Sequence, residues 1–272
     1  MSEGGCRQGP EGARDARRPG RRPFLLDVRR RIATLTFDRP PVNVLDTKSL
    51  REMTAALKRV VGREEIGALV VQGAGRTFSA GVDIGEHRAP TVHAMIHGFH
   101  DFCRAILEFP RPTIARVHGA ALGGGCEVVL CCDVAVAAAS ARLGQPEITL
   151  GVFPPLSAVL LPRIAGRAAA KMILLGEEVR AEEALRLGIV SEVVPDERLD
   201  ERVLELAERA AGLSSAALSR ARLALRRGGE GPFEEALRVV ETIYLDDLIR
   251  TEDAAEGIEA FLEKRPPRWT HR

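Results

Sequence analysis

Residues 118–127 read HGAALGGGCE, and they place three consecutive glycines directly before a predicted helix. Because glycine has no side chain, a ligand carbonyl can approach the backbone N–H groups of such a segment closely. The start of the helix adds further unpaired N–H groups and the positive end of the helix dipole. The segment therefore predicts a site that stabilises a negatively charged oxygen.

Two glutamates accompany this segment. Glu127 ends it, and Glu147 closes the motif LGQPE at 143–147, twenty positions later (147 − 127). The run CCDVAVAAA at 131–139 separates them and predicts a strand, so the two carboxylates converge only if the fold brings different elements together. The alternative is that Glu127 is an ordinary helix residue and that Glu147 is a loop carboxylate satisfied by neighbouring backbone.

A second glycine-centred segment, SAGVDI at 79–84, follows the predicted strand ALVVQG at 68–73. With DRPPVNVLD at 38–46 and EGIEAFLEKRPPRW at 256–269, these motifs stand in the order found in one enzyme family. From about residue 24 to residue 269 the chain resembles the crotonase, or enoyl-CoA hydratase/isomerase, family.

The resemblance implies roles for individual residues. The backbone N–H groups of Val82 and Gly124 correspond to the family's oxyanion hole, and Glu127 and Glu147 correspond to the two catalytic carboxylates of the hydratases. Phe261 and Lys264 are candidates for coenzyme A contacts, including contacts across a subunit boundary. The other implied substrate contacts are Ser79, Ala80, Gly81, Asp83, Ile84, Phe153, Pro154, Pro155 and Leu156.

This set of groups suits the addition of water to a thioester-conjugated double bond. Attack at the β-carbon moves negative charge onto the thioester oxygen, where two N–H donors can stabilise it. Two adjacent carboxylates can hold the water, accept its proton and deliver a proton to carbon. The resemblance implies no cofactor beyond the coenzyme A that the substrate carries.

The segment GVFPPLSA at 151–158 departs from the glycine-rich segment of many family members. With NVLD and the stretch 85–102, it resembles the cyclohexa-1,5-diene-1-carbonyl-CoA hydratases, so we expect a cyclic dienoyl-CoA as substrate. The alternatives are a general 2-enoyl-CoA hydratase, an isomerase or lyase of another acyl-CoA, and a non-catalytic RNA-binding or structural oligomer. The retained glutamate pair favours an enzyme over the last of these.

The order of predicted elements favours an α/β protein, because strand, glycine turn and helix recur along the chain. The resemblance makes this a crotonase-type spiral of ββα turns over residues 24–195. Residues 196–272 then form a C-terminal helical region that builds homotrimers or dimers of trimers. Residues 1–23, rich in Gly, Arg and Pro, predict a disordered tail.

Composition argues against several other classes. The net charge is +1, and the main basic excess lies in the N-terminal tail and not among interleaved aromatic residues, as nucleic-acid binding would favour. The longest apolar runs are too short to span a bilayer. The five cysteines show no CxxC spacing, which favours a reducing cytoplasm. We therefore expect a cytoplasmic protein that binds neither nucleic acid nor membrane.

Three local patterns resemble other sites but lack a necessary part. His93, His97 and His100 share a predicted helix face, yet no acidic ligand accompanies them, so no metal site is expected. GAGRTF at 73–78 lacks the third glycine of a dinucleotide-binding loop. No GxSxG motif surrounds Ser79 or Ser157, as a serine hydrolase of that type would require.

Overall fold

A computed structural model describes residues 22–272 except Glu64. Its strands form two sheets, a larger one in the order β1-β2-β3-β4-β6-β9 and a smaller one in the order β5-β7-β8. In chain order the strands are β1 (Phe24–Arg29), β2 (Ile32–Phe37), β3 (Ala68–Gly73), β4 (Thr113–Val117), β5 (Ala120–Leu122), β6 (Val134–Ala138), β7 (Arg142–Gly144), β8 (Glu178–Arg180) and β9 (Glu192–Val194).

Helices connect and cover these strands. They are α1 (Thr47–Val61), α2 (Val92–Leu107), α3 (Gly124–Leu130), α4 (Pro155–Ala165), α5 (Ala168–Leu175), α6 (Ala181–Arg186), α7 (Leu199–Ala211), α8 (Ser215–Gly228), α9 (Phe233–Thr242) and α10 (Glu252–Leu262). Short 3₁₀ helices lie at Ile84–His87, Pro146–Leu150 and Asp196–Arg198, and a π-helical turn lies at Ile243–Leu248.

The larger sheet begins with an antiparallel hairpin and then becomes parallel. β1 pairs with β2 in antiparallel register, and β2, β3, β4, β6 and β9 pair in parallel. Parallel strands need crossover connections and are covered on both faces, which explains the nearly continuous burial of β3. The prediction of an α/β protein is confirmed.

Helix α1 begins with a capping box. The Asp46 side chain accepts a hydrogen bond from the Ser49 N–H at 2.7 Å, and the Ser49 hydroxyl accepts one from the Asp46 N–H. This reciprocal pair satisfies backbone donors that the helix itself leaves unpaired. Asp46 is therefore the N-cap, and Thr47 is the first helical residue.

The smaller sheet brings the two glutamate segments together. β5 and β7 pair in parallel, with Leu122 opposite Gly144, and the Gly123 N–H donates to the Gly144 carbonyl at 2.9 Å. Parallel partners end at the same edge of a sheet, so the glycines after β5 lie beside the residues after β7. Glu127 and Glu147 converge for this reason.

The C-terminal part of the described chain is helical, since β9 ends at Val194. The strand predicted over 131–139 is shorter than expected, because Cys131 caps the end of α3 and β6 begins at Val134. The disordered tail predicted for residues 1–23 lies outside the described residues except for its last two.

No helix in the described part of the chain has both the length and the apolar character needed to cross a membrane. Within residues 22–63 and 65–272, no three His, Cys, Asp or Glu side chains are grouped as metal ligands would be. Cys103, Cys126, Cys131 and Cys132 are free thiols.

Candidate active site

A cavity of about 350 Å³ lies where the segment after β3, the start of α3 and the segment after β7 meet. Helix α2 forms one wall, and residues 150–155 form another. Apart from Glu127, Glu147 and His87, the side chains that line it are apolar. A pocket of this kind excludes water from most of its surface and strengthens the electrostatic interactions inside it.

Two backbone segments meet at the base of the cavity. A Cβ atom added to Gly81 would lie 3.0 Å from the Gly124 nitrogen, and one added to Gly124 would lie 2.8 Å from Val82 Cγ2. The contact leaves no space for a side chain at either glycine. Among the described residues, the N–H groups of Val82 and Gly124 have no protein acceptor.

Gly124 is the first residue of α3, so its N–H has no partner within the helix. Val82 lies on the neighbouring segment, where it forms an isolated parallel bridge with Leu45. Two N–H donors from different parts of the chain therefore border one cavity, an arrangement that can bind a developing oxyanion.

The segment that carries Val82 is held from beneath by buried polar groups. The Ser79 hydroxyl donates to the Asn43 carbonyl at 2.7 Å and accepts from the Gly81 N–H at 3.1 Å. The Asn43 amide in turn donates to the carbonyls of Ala74 and Thr77. Ser79 is completely buried and does not line the cavity, so it supports the loop rather than contacting a ligand, contrary to the sequence-based expectation.

Glu127 is the more deeply buried of the two carboxylates, with 3% of its surface exposed. Its Oε1 accepts a hydrogen bond from the Ser157 N–H at 2.7 Å, in the first turn of α4. Burial raises the pKa of Glu127 to about 7, against the opposing effect of this hydrogen bond. The neighbouring Glu147 adds to the rise, because two like charges disfavour joint ionisation.

Glu147 lies on the 3₁₀ helix that follows β7, and its carboxylate lies against Gly123. A Cβ atom at Gly123 would lie 2.5 Å from Glu147 Oε1, and the φ of 51° at Gly123 also favours glycine. The Oε2 atom is buried without a hydrogen-bond partner in the described structure. Burial raises the pKa of Glu147 as well.

These shifts predict that Glu127 limits stability at neutral and basic pH. Its folded-state pKa of about 7 exceeds the ordinary 4.5, so the folded chain binds more protons between these values and loses stability as pH rises. We expect Glu127→Gln to raise the free energy of unfolding above pH 7 by on the order of 2 kcal/mol. Denaturant unfolding from pH 4 to pH 9 measures this.

The exposed Glu182, in the first turn of α6, provides the matched control. Glu182→Gln should leave the pH dependence of unfolding unchanged, and the curves of Glu127→Gln and the unmodified protein should converge below about pH 5. A Glu127→Gln protein no more stable than the parent at pH 8 would contradict this prediction.

Most of the other predicted contacts border the cavity, and the exceptions within 80–84 and 153–156 are Asp83 and Leu156. Those that line it are Ala80, Gly81, Ile84, Phe153, Pro154 and Pro155. Asp83 instead accepts the Gly85 N–H at 2.8 Å and caps the short helix there. Leu156 does not line the cavity and packs against the hydrophobic core, so its substrate contact stays a prediction.

Phe261 and Lys264 lie apart from the cavity within one chain. Phe261 is 82% exposed and borders a separate apolar groove with Trp269. Their contact with coenzyme A across a subunit boundary stays a prediction.

Helix α2 supplies a wall that the sequence motifs did not identify. Val92, Met95, Ile96 and Phe99 face the cavity from it. Their spacing of three and four residues is that of one helix face, and this pattern could have revealed them. His87, which ends the preceding short helix, adds a polar group to the same side.

The family model for enoyl-CoA hydratase/isomerase matches residues 27–272, almost all of the described chain. The chain belongs to the enoyl-CoA hydratase/isomerase family. The chain is 37% identical to 2,3-dehydroadipyl-CoA hydratase of Escherichia coli over 90% of its own length and 97% of the relative's. It is 33% identical to the short-chain-enoyl-CoA hydratase of Clostridium acetobutylicum, over 89% and 95% of the two chains.

The fold of this family member agrees with solved structures. The crystal structure of an enoyl-CoA hydratase from Bacillus anthracis superposes with a TM-score of 0.88 at 30% identity, covering 92% of this chain and 100% of the other. The predicted crotonase-type fold is therefore confirmed. With the hydratase relatives, family membership also confirms that the protein is an enzyme of the hydro-lyase class.

Proposed function

We propose that the protein adds water across the thioester-conjugated double bond of an enoyl-CoA. The observation that carries this proposal is the joint placement of two buried carboxylates and two unpaired backbone N–H donors on one apolar cavity. Both carboxylates that the hydratase chemistry needs are present, and both have raised pKa values. The hydratase names of relatives support the same activity.

In this mechanism the thioester carbonyl accepts hydrogen bonds from the N–H groups of Val82 and Gly124. Attack of water on the β-carbon moves charge to the carbonyl oxygen, and these preorganised donors stabilise the enolate as it forms. Neither donor has a competing acceptor among the described residues. The backbone therefore supplies the electrostatic part of catalysis.

The carboxylates move the protons. Glu127, which accepts the Ser157 N–H, acts as the ionised base that takes a proton from water. Glu147, whose Oε2 has no donor in the described structure, carries the proton that goes to carbon. Their titration belongs to the pair, because each charge raises the cost of the other.

We further propose that the preferred acyl group is a ring, the cyclohexa-1,5-diene-1-carbonyl group. Phe153, Pro154 and Pro155 form one wall of the cavity next to Glu147. Pro154 caps α4 and Pro155 is its first residue, so the backbone of this wall has little freedom. A rigid apolar wall suits a flat ring better than a flexible chain.

The substrate panel that tests this comprises the cyclic dienoyl-CoA, crotonyl-CoA and 2,3-dehydroadipyl-CoA. We expect kcat/KM for the ring to exceed that for crotonyl-CoA by at least ~10-fold, about 1.4 kcal/mol of transition-state preference. Replacing Pro154-Pro155-Leu156 by Gly-Ala-Gly should reduce this ratio while the N–H groups at 156 and 157 remain.

Faster turnover of crotonyl-CoA by the unmodified enzyme would identify a general 2-enoyl-CoA hydratase, which the short-chain relative supports equally. Binding of every panel member without turnover would instead support a non-catalytic oligomer and contradict the proposed hydration.

Assembly and location complete the proposal. Tyr244, Leu245, Ile258, Phe261 and Leu262 are more than half exposed on the C-terminal helical region, and such apolar surface is typical of subunit interfaces. We propose that copies of the chain cover it in a homotrimer or a dimer of trimers. The free thiols are consistent with a cytoplasmic enzyme.

A further inference from the structure

Two completely buried polar side chains lie behind Glu127, outside the lining of the cavity. Ser157, in the first turn of α4, and Gln145, directly after β7, have no exposed surface. The Gln145 Nε2 donates a hydrogen bond to the Ser157 hydroxyl at 2.5 Å. Neither side chain has a part in the mechanism described so far, which uses only the backbone N–H of Ser157.

This hydrogen bond fixes what the Ser157 hydroxyl can do. A hydroxyl has one proton to donate, and here the Gln145 amide occupies an acceptor position on its oxygen. The proton is therefore available to another acceptor. The Glu127 carboxylate lies next to this hydroxyl, which favours the charged form of the carboxylate.

Ser157 thus meets Glu127 with two groups. Its backbone N–H donates to Oε1 at 2.7 Å, and its hydroxyl faces the same carboxylate. The far end of the chain of hydrogen bonds is unsatisfied, because the Gln145 Oε1 is buried without a partner in the described residues. The hydrogen bond from Nε2 to the Ser157 hydroxyl therefore holds the Gln145 amide in place. The hydrogen bonds lead from Gln145 through Ser157 to Glu127.

At Glu147, only its own backbone N–H favours the charged form of the carboxylate. Its Oε2 is buried without a donor, whereas Glu127 faces donors on the side away from the cavity. This asymmetry distinguishes two carboxylates that share one apolar pocket. Donors to a carboxylate stabilise its charged form, so Ser157 opposes the rise in the pKa of Glu127 that burial causes.

We propose that Ser157 is a positioning residue whose hydroxyl, oriented by the Gln145 amide, favours the ionised form of Glu127 against the effect of its burial. The inference rests on the proposed hydratase function for its catalytic consequence, but not for the ionisation itself. Ser157 is not expected to touch the substrate, since it does not line the cavity.

The decisive variants are Ser157→Ala and Ser157→Thr, compared through the pH dependence of kcat/KM. Removing the hydroxyl should move the acidic limb of the profile upward by about half a pH unit or more, because the charged form loses a donor. At a pH below that limb, turnover should fall by about 3-fold or more. Ser157→Thr, which keeps the hydroxyl, should restore the limb. A purely structural role would lower the amount of active enzyme without moving the limb.

Gln145→Met tests the hydrogen bond that orients the Ser157 hydroxyl. It keeps the length of the side chain and removes the amide, so it should shift the limb in the same direction. Combined with Ser157→Ala it should add little, because both changes break one chain of hydrogen bonds. Ser219→Ala, which removes a partly buried hydroxyl on α8, is the control and should leave the profile unchanged.

A readout independent of turnover separates this inference from the proposed function. In the substrate-free protein labelled with ¹³C-glutamate, the Glu127 carboxyl signal, assigned through Glu127→Gln, should titrate at higher pH in Ser157→Ala and in Gln145→Met. If no enoyl-CoA is hydrated but these shifts occur, the proposed function fails and the positioning role stands. Unchanged titration and unchanged pH profiles in Gln145→Met and in a folded Ser157→Ala would overturn the inference. If Ser157→Ala does not fold, the titration and the pH profile of Gln145→Met alone test the inference.

Discussion

Hydration is expected to fall by ~10²-fold or more, measured as kcat/KM, when either Glu127 or Glu147 is replaced by glutamine. Each substitution removes one proton-transferring group from a pair that works on a single water molecule. Glutamine keeps the size of the side chain, and Glu127 and Glu147 occupy an apolar cavity in which charge is costly. The loss should therefore appear in catalysis and not in folding.

Steady-state kinetics on the best substrate of the panel, with thermal unfolding of each variant, checks this result. Glu182→Gln again serves as the exposed control and should retain full activity. The double variant should lose little more than the worse single variant, because the two groups act as a unit. A folded Glu127→Gln or Glu147→Gln enzyme with near-parental turnover would remove that glutamate from the mechanism.

An equally large effect is expected at the oxyanion hole. Gly124→Pro deletes the donor N–H at the first position of α3, where the φ of proline suits a helix, but its Cβ meets the same Val82 methyl group as that of Gly124→Ala. Loss of one such donor typically costs ~10²- to 10³-fold in kcat. Val82→Ala keeps its backbone N–H and should change kcat only slightly.

The side chain of Val82 allows the steric effect of a substitution at Gly124 to be separated from the loss of its N–H. Gly124→Ala keeps the N–H but places its Cβ 2.8 Å from Val82 Cγ2, so it should lose activity through displacement of the two segments. Adding Val82→Ala removes that methyl group and should recover part of the activity of Gly124→Ala, but none of that of Gly124→Pro. Equal recovery in both pairs would argue against a backbone donor at Gly124.

The sequence predicted the reacting groups of this site better than the residues that hold them in place. The motif order identified the family, and glycine patterns marked both backbone segments. Spacing alone left the convergence of Glu127 and Glu147 open, because it depends on the parallel pairing of β5 with β7. Strands of three residues give too weak a periodic signal to predict such pairing.

The residues that hold the site in place escaped prediction for a related reason. Asn43 reaches carbonyls 31 and 34 positions away, and Ser157 meets Glu127 across 30 positions. Such side-chain bonds leave no periodicity in the sequence. The place of Leu156 in a distinctive motif favoured a substrate contact, but the start of α4 packs it against the hydrophobic core.

The bond between the Gly123 N–H and the Gly144 carbonyl has a consequence for how this scaffold can be modified. It ties the anion-binding helix start and the proton-carrying segment into one unit, so a change that shifts either will disturb both. The side of the cavity built from α2 and residues 150–155 carries neither catalytic carboxylate. Redesign for a new acyl group should therefore confine its substitutions to that side and leave the reaction itself unchanged.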